Sequence, residues 1–390
     1  MAFGDSHSPG GRDVRIDWLR GLAMACVIVN HSKLSSLLSW FSYERMCVVT
    51  AAEVFVVLSG TVLGIVYGRR LDRHGWGAVA RGLGRRAVLL YATFVGVTLS
   101  VLALAAMGVD VRALAPSSGA ATWFVAPQMM DMSAWRDVLL MRAGPWAFEI
   151  IGLYVWLVAA AVPCLLIMRW AGWRLLLAVS WAVYLWYRLD PHSATGAGFE
   201  SAFPLLAWQL LFVHGIALGY HRDRIRAAVD RAPKWLPAAA MLATAAFAAF
   251  AFCNPWTDGP RWLRLTVLGP DQFTQLYGSF FSLKELGAGR LLNLAVGLPV
   301  AYAALTRYWS LFRPLDTLFI TLGQHSLGAF VLHVYAVLLL SYLPLAGDVL
   351  IDTLIQVAII IGIVGILRSV HRSRAPQPVV APLAPKPLAA

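Results

Sequence analysis

Charged residues are scarce in this chain of 390 residues. Asp, Glu, Lys and Arg make up 13% of the chain, whereas 59% is hydrophobic and the mean hydropathy is +0.68. Soluble domains carry about 25% charged residues, roughly twice this density. The surplus of apolar surface excludes an ordinary water-soluble domain, and the sequence therefore predicts an integral membrane protein.

A secretory signal and the signatures of nucleic-acid binding are also missing. Arg12, Asp13 and Arg15 interrupt the N-terminal stretch, and no small-residue cleavage site follows, so the first apolar segment is expected to remain as a membrane span. The net charge of +12 would suit nucleic acid, but zinc spacings, RNA-binding signatures and basic amphipathic helices are lacking. We expect a lipid bilayer as partner and no nucleic acid.

Cysteine is rare and gives no metal-binding pattern. The four cysteines are isolated, without CxxC pairs, and we predict no metal site. They are Cys26, Cys47, Cys164 and Cys253. Cys26 and Cys164 are expected inside the bilayer as small apolar side chains.

Long apolar segments dominate what remains. A span needs about 20 mostly apolar residues, and ten segments meet this need. They lie near 17–38, 47–67, 86–109, 146–168, 174–189, 202–220, 235–253, 289–306, 321–343 and 349–367. The predicted fold is an all-α, polytopic bundle of about ten transmembrane helices, with a cytoplasmic N-terminus (1–16), a transmembrane domain (17–367) and a disordered cytoplasmic tail (368–390).

The distribution of Lys and Arg predicts the orientation of this bundle. Most of these residues fall in the segments that lie on the side of the N-terminus if ten spans are counted. Both termini are therefore expected in the cytoplasm, and the protein in the inner (plasma) membrane. The longer segments 110–145 and 254–288 would face outward as partly ordered caps or re-entrant pieces.

Three ionisable residues within predicted spans suggest an acid–base site, because such groups are costly in a membrane. Arg20 and His31 are 11 residues apart, about three helical turns, so they share one helix face roughly 16 Å apart. Glu53 lies at a similar depth on the returning helix, where its carboxylate could fix the tautomer of His31. Structural alternatives remain open: snorkelling for Arg20, an interhelical hydrogen bond for His31 and an ion pair for Glu53.

Further polar residues of the spans are candidates for lining a cavity. They are Asn30, Ser59, Gln209, His214 and His325. For Gln209 and His214 a structural role is equally open, and His325 is expected to mark a bend at a helix start. His333, two turns later, fits a core position as well as a site.

Three stretches carry a family resemblance. The first is 15–23 leading to Asn30-His31, with Arg20 and His31 in an Arg-x10-His pattern. The second is 51–60 followed by 67–70, and the third comprises 207–212 with 322–327. Together they resemble the OpgC-type membrane proteins of the transmembrane acyltransferase superfamily, which includes acyltransferase family 3.

The resemblance implies an acyl-CoA-dependent O-acyltransferase. It would move a succinyl or acetyl group from cytoplasmic acyl-CoA, its co-substrate, to a hydroxyl of an extracytoplasmic glycan. By this analogy His31 is catalytic, Glu53 supports it and Arg20 positions the donor. A basic loop could hold the CoA phosphates, although positive-inside topology alone would also explain it. The donor-binding residues assigned in this loop are Arg69, Arg70, Arg85 and Arg86.

Two other functions are compatible with the residues. Intramembrane His and Glu also suit the proton relay of a coupled transporter or flippase for a glycan or lipid-linked intermediate, although inverted repeats are not evident. A scaffold or sensor derived from the acyltransferase fold is the third. For a succinyl donor, a cation near the acyl carbon would be needed, and Lys33 and Arg45 are candidates.

Overall fold

The computed structural model describes residues 13–40, 42, 48–116, 122–256, 260–343 and 347–374. Within these ranges the chain folds into helices joined by turns, without a strand, so the predicted all-α class is confirmed. The helices of eight or more residues are α1 (Val14–His31), α2 (Ala51–Ala106), α3 (Met132–Leu139), α4 (Glu149–Trp170), α5 (Gly172–Leu189), α6 (Leu205–Tyr220), α7 (Arg222–Asp230), α8 (Leu236–Phe252), α9 (Pro270–Phe280), α10 (Ala288–Arg307), α11 (Asp316–Gln324), α12 (Ser326–Leu340) and α13 (Val349–Arg374).

Four of these described helices are long and apolar enough to cross a membrane, or five if the bent pair α11–α12 counts as one span. The four are α2, α4, α10 and α13. The number is below the ten predicted for four reasons. Helix α2 contains two predicted spans, α6 and α8 are short, α1 carries Arg15, Asp17 and Arg20, and α5, which contains Arg174 and Arg188, is not apolar enough. The chain is an all-α membrane protein.

Helix α2 folds back on itself at Gly75. This glycine has φ +70° and ψ −177°, a conformation that is essentially restricted to glycine. A Cβ on Gly82 would lie 3.1 Å from the ring of Tyr67. Fifteen residues of straight helix would span roughly 22 Å, so residues 51–74 and 76–106 form two antiparallel arms. These arms correspond to the predicted spans 47–67 and 86–109.

Glycines allow the first arm of α2 to approach α6 closely. Gly60 and Gly64 lie one turn apart on α2, and Gly215 and Gly219 do so on α6. A Cβ on Gly60 would meet the carbonyl of Phe212, and one on Gly215 would meet the backbone of α2. Small residues spaced four apart permit this backbone contact in membrane helices. The contact fixes the first arm against the middle of the bundle.

The chain breaks at His325 within the predicted span 321–343. Helix α11 ends at Gln324, α12 begins at Ser326, and the axes bend by 92°. The predicted bend at His325 is thus present. Helix α11 packs tightly on α1, since a Cβ on Gly21 would overlap the carbonyl of Phe319.

The structure does not describe the outermost residues of the chain or one of its four cysteines. Helix α13 continues to Arg374, so residues 368–374 of the predicted disordered tail (368–390) are helical. Residues 1–12 and the predicted tail from 375 lie outside the described residues, as does Cys47. Cys164 and Cys253 are free thiols.

We predict that Gly75→Ala lowers the stability of the detergent-solubilised protein by about 1–3 kcal/mol, because alanine cannot adopt the backbone conformation of the turn without strain. Thermal unfolding measures this. Gly77→Ala is the matched control: Gly77 is exposed and helical, so the change should be neutral or stabilising by a few tenths of a kcal/mol. Equal midpoints for the two variants would contradict the assignment of the turn to Gly75.

Candidate active site

His31 is the last residue of α1 and lies between two rings. Its Nδ1 is 3.0 Å from Nε2 of His333 on α12. On another side the indole of Trp146 approaches, with ring centroids 4.7 Å apart. His31 is half-buried, whereas His333 is fully buried. The imidazole of His31 is therefore contacted on two sides and remains partly exposed.

The turn that follows His31 is fixed by Gln356 of α13. The Gln356 amide donates to Ser32 Oγ at 2.6 Å and to the carbonyl of Val29 at 3.3 Å, and its oxygen accepts from Ser36 Oγ at 2.5 Å. Unsatisfied carbonyls at a buried helix end are costly, and the Gln356 amide donates a hydrogen bond to one of them, the carbonyl of Val29. Sequence reasoning overlooked Gln356, although an amide inside a predicted span is a recognisable signal.

Glu53 pairs with Arg290, a residue that the sequence analysis did not single out. Arg290 Nε lies 2.8 Å from Glu53 Oε1 and Nη2 lies 2.7 Å from Oε2, with both side chains 1% exposed. Glu53 also accepts the backbone N–H of Thr50 at 2.6 Å and caps α2. The expected contact between Glu53 and His31 is replaced by this ion pair. A signal existed, because Arg290 lies within the predicted span 289–306.

Arg290 in turn has further partners that complete its hydrogen bonding. Its Nη1 donates to the hydroxyl of Tyr277 and to the carbonyl of Phe281, both at 3.2 Å. A buried pair repays its desolvation only when its remaining protons are also satisfied. The group therefore joins α9 and α10 to the start of α2, and it is suited to a structural role.

Arg20 lies deep in the bundle at the first third of α1. Its Nη2 donates to Ser326 Oγ at 2.9 Å, and Nη1 is 3.8 Å from Asp17 Oδ1. The guanidinium lies over the ring of Phe55, 5.1 Å from its centroid. Phe55 contacts Phe330 edge to face at 5.3 Å. A row of aromatic contacts thus leads from Arg20 towards the histidine pair.

A cavity of about 670 Å³ opens beside Arg20, at the end of the bundle where α1 begins. Its wall includes Arg69 and Arg86, one from each arm of α2, and His325 and His371. The two histidine rings lie 3.7 Å apart. The lining therefore brings together nitrogen-containing side chains from α1, α2, α11 and α13 and from the break at His325.

Asp13, which caps α1, also borders this cavity. Its carboxylate accepts from Arg15 Nε at 2.8 Å and from the Tyr302 hydroxyl at 2.6 Å. Burial opposes the charged form, but the hydrogen bonds of Arg15 and Tyr302 outweigh it and lower the pKa of Asp13. The charge of Asp13 is thus engaged by its own partners, and the second carboxylate of the lining, Asp17, lies 3.8 Å from Arg20 Nη1.

Several predicted residues lie elsewhere. Arg70 and Arg85 are not part of the cavity wall, although they neighbour Arg69 and Arg86. Gln209 is bonded to the backbone carbonyl and hydroxyl of Ser180 at 2.9 and 2.8 Å.

His214 likewise joins two helices. Its Nδ1 lies 2.7 Å from the carbonyl of Leu210, and its Nε2 accepts from Trp181 Nε1 at 3.2 Å. Gln209 and His214 therefore fasten α6 to α5, the structural alternative left open for them.

The remaining candidates lie near the histidine pair and the aromatic row. Ser59 accepts from the hydroxyl of Tyr154 at 3.4 Å, and Tyr154 contacts Phe55 edge to face. Asn30 precedes His31 on α1 and is half-buried. Lys33 is exposed, with its ammonium 5.0 Å from the Trp146 ring centroid. Arg45 lies outside the described residues.

A family model described as OpgC protein matches residues 12–375, nearly the whole chain. The chain belongs to the OpgC family. Membership indicates a membrane-associated enzyme of the acyltransferase type. Comparison with curated proteins and with solved structures finds no match.

We predict that removing one partner of the Glu53–Arg290 pair destabilises this OpgC protein by about 3–5 kcal/mol, since a buried charge is left without a partner. Glu53→Gln and Arg290→Gln would each show this in thermal unfolding, and the double variant should recover part of the loss. Arg188→Gln is the control, because its ion pair with Glu285 is partly exposed and worth about 1 kcal/mol at most. Additive losses in the double variant would argue against coupling.

Proposed function

We propose that this OpgC protein transfers an acyl group, succinyl or acetyl, from acyl-CoA to a hydroxyl of an extracytoplasmic glycan. The observation that carries the proposal is the arrangement of α1. One end of this helix places Arg20 in the wall of a basic cavity, and the other end presents a half-buried His31. Two substrates that arrive from opposite sides would meet along such a helix.

The cavity beside Arg20 is the proposed donor site. Coenzyme A carries several phosphate charges, and guanidinium groups bind phosphate through paired hydrogen bonds. Arg20, Arg69 and Arg86 all line the cavity, which supports the role assigned to them from the sequence. Arg70 and Arg85 lie outside the lining, so we no longer include them in the donor site.

The thioester would have to travel from this cavity to His31. The axial separation of Arg20 and His31 is roughly 16 Å, a distance suited to the slender arm of coenzyme A. The edges of Phe55 and Phe330 lie along this route. We propose that these rings turn aside when the donor enters.

His31 is the proposed general base. Its Nε2 takes the proton of the acceptor hydroxyl, whose oxygen attacks the thioester carbonyl carbon. The carbon–sulfur bond then breaks, and the coenzyme A thiolate recovers the proton from His31. A transient acyl-histidine is the alternative route: Nε2 attacks the thioester carbonyl carbon and the coenzyme A thiolate leaves. The acceptor hydroxyl then attacks the acyl carbon, the bond to Nε2 breaks, and the hydroxyl proton passes to the thiolate. Glu53, engaged by Arg290, supports the architecture of the site in both routes.

The topology we propose has ten spans with both termini in the cytoplasm of the inner membrane. The spans are α1, the two arms of α2, α4, α5, α6, α8, α10, the bent pair α11–α12, and α13. In this arrangement the start of α1, the cavity with Arg69 and Arg86, and the end of α13 share the cytoplasmic side, where positive residues are favoured. Acyl-CoA is present on that side.

The proposal predicts label transfer from radiolabelled acyl-CoA to glycan acceptors by the purified protein. His31→Ala should lower kcat by about 10²-fold or more, because the base is lost. Undiminished transfer by His31→Ala would contradict the catalytic assignment. Movement of a glycan or lipid-linked intermediate across vesicles without acyl transfer would favour the transporter instead.

Donor binding yields a separate prediction. Arg69→Ala or Arg86→Ala should raise the KM for acyl-CoA about tenfold, because a charge-assisted hydrogen bond is lost. Arg85→Ala is the matched control, since Arg85 precedes Arg86 but lies outside the cavity wall; its KM should change less than about twofold. Equal effects of Arg85 and Arg86 would point to a general attraction by the basic segment instead of a defined donor site.

A further inference from the structure

We infer that His333 is the positioning residue of His31 and holds it in the tautomer whose Nε2 is unprotonated. The inference rests on the proposed role of His31 as general base. The sequence had assigned this supporting role to Glu53. The geometry points to a second imidazole, from α12, in its place.

The protonated nitrogens of His31 and His333 can be derived from the hydrogen-bond acceptor next to His333. Nδ1 of His333 lies 2.6 Å from the carbonyl oxygen of Phe330, and a carbonyl only accepts hydrogen bonds. Nδ1 of His333 must therefore carry a proton. The carbonyl of Ala147 also approaches this ring, but a second proton would still create a fully buried cation among uncharged groups, which is strongly unfavourable. Nε2 of His333 consequently presents a lone pair.

This lone pair determines the state of His31. The Nδ1 of His31 lies 3.0 Å away from it, so Nδ1 must be the N–H that donates. A neutral imidazole has one proton, and the Nε2 of His31 is left as the basic atom. The ring orientation is fixed at the same time, because Trp146 packs against the imidazole from another side. His333 thus prepares the atom that the reaction requires.

The pair differs from a carboxylate–histidine arrangement in its charge. A carboxylate beside His31 would stabilise the imidazolium through a full negative charge, whereas His333 offers a neutral acceptor that passes the hydrogen bond to a backbone carbonyl. Both oxygens of Glu53 are occupied by Arg290, so this carboxylate is committed elsewhere. Orientation and tautomer selection are then the contributions of His333.

The first test observes the tautomer directly and needs no substrate. The chain has nine histidines, so ¹⁵N-histidine-labelled protein in bilayers would be compared with His31→Ala to assign the signals of His31. We expect a protonated Nδ1 and an unprotonated Nε2 in the wild type, and a mixture of tautomers in His333→Phe. A wild-type His31 with an unprotonated Nδ1 would overturn the inference whatever the activity.

The second test separates positioning from folding by kinetics. His333→Phe should lower kcat at least about 10²-fold, because the ring of His31 loses both its single tautomer and the contact that orients it, while the KM for acyl-CoA stays within about twofold. His333→Gln keeps an acceptor oxygen near the position of Nε2 and should recover at least tenfold of the lost kcat. An unchanged kcat in His333→Phe, or equal losses in both variants, would overturn the inference.

His214→Phe is the matched control for an intramembrane histidine. In the wild type, Nδ1 of His214 lies 2.7 Å from the carbonyl of Leu210 in the preceding turn, as Nδ1 of His333 does with Phe330. His214, however, faces Trp181 on α5. The kcat of His214→Phe should remain within about threefold of the wild type. A loss as large as that of His333→Phe would show that any buried histidine of the bundle has this effect. If the tautomer is as inferred but no acceptor receives label, the proposed function fails and the pairing stands.

Discussion

A polar side chain inside an apolar bundle is costly unless it meets a partner, and this constraint arranges the helices around α1. Arg20 meets Ser326, His31 meets His333, and Ser32 meets Gln356. Each of these contacts joins residues that are more than 300 positions apart in the chain. The first helix and the last two are thereby bound into one polar seam, and the histidine pair exists only when both ends of the chain have assembled.

The seam also explains why the two halves of the proposed reaction can be kept apart. Charged side chains collect around the cavity at one end of α1, while the histidines lie at the other end behind the rings of Phe55 and Phe330. The rings of Phe55 and Phe330 lie between the two regions. In the proposed reaction, the thioester would have to pass these rings to reach the alcohol.

Much of the architecture was predictable because hydrophobic length is a strong signal. The all-α class, the bend at His325 and the polar positions Arg20 and His31 follow from local sequence, whereas four of the described helices, or five with the bent pair, are long and apolar enough to cross a membrane, against ten predicted spans. The partner of Glu53 did not follow from local sequence, because matching depth on two helices gives a height in the bundle but no direction around the helix axis. Glu53 therefore has the expected side-chain chemistry but faces Arg290 on α10.

The role of His333 was left open for the same reason. A histidine in a span has two ring nitrogens, and only its actual neighbours decide what each of them does. The carbonyl of Phe330 and the ring of His31 supply that information. The contact with Phe330 is local to α12, but the contact with His31 is long-range and is not encoded in a spacing. Local sequence patterns identified the polar side chains that are costly to bury, and long-range packing determined their partners.

The fold-back of α2 at Gly75 has a mechanical consequence for the cavity. Arg69 and Arg86 belong to the two arms of one hairpin, and the ring of Tyr67 touches the second arm at Gly82. The contact at Gly82 joins the two arms near their turn, so the backbone positions of Arg69 and Arg86 are coupled to each other. On the opposite wall of the cavity the helix is interrupted at His325, and we expect a ligand that needs a wider opening to displace this wall before it separates the arms.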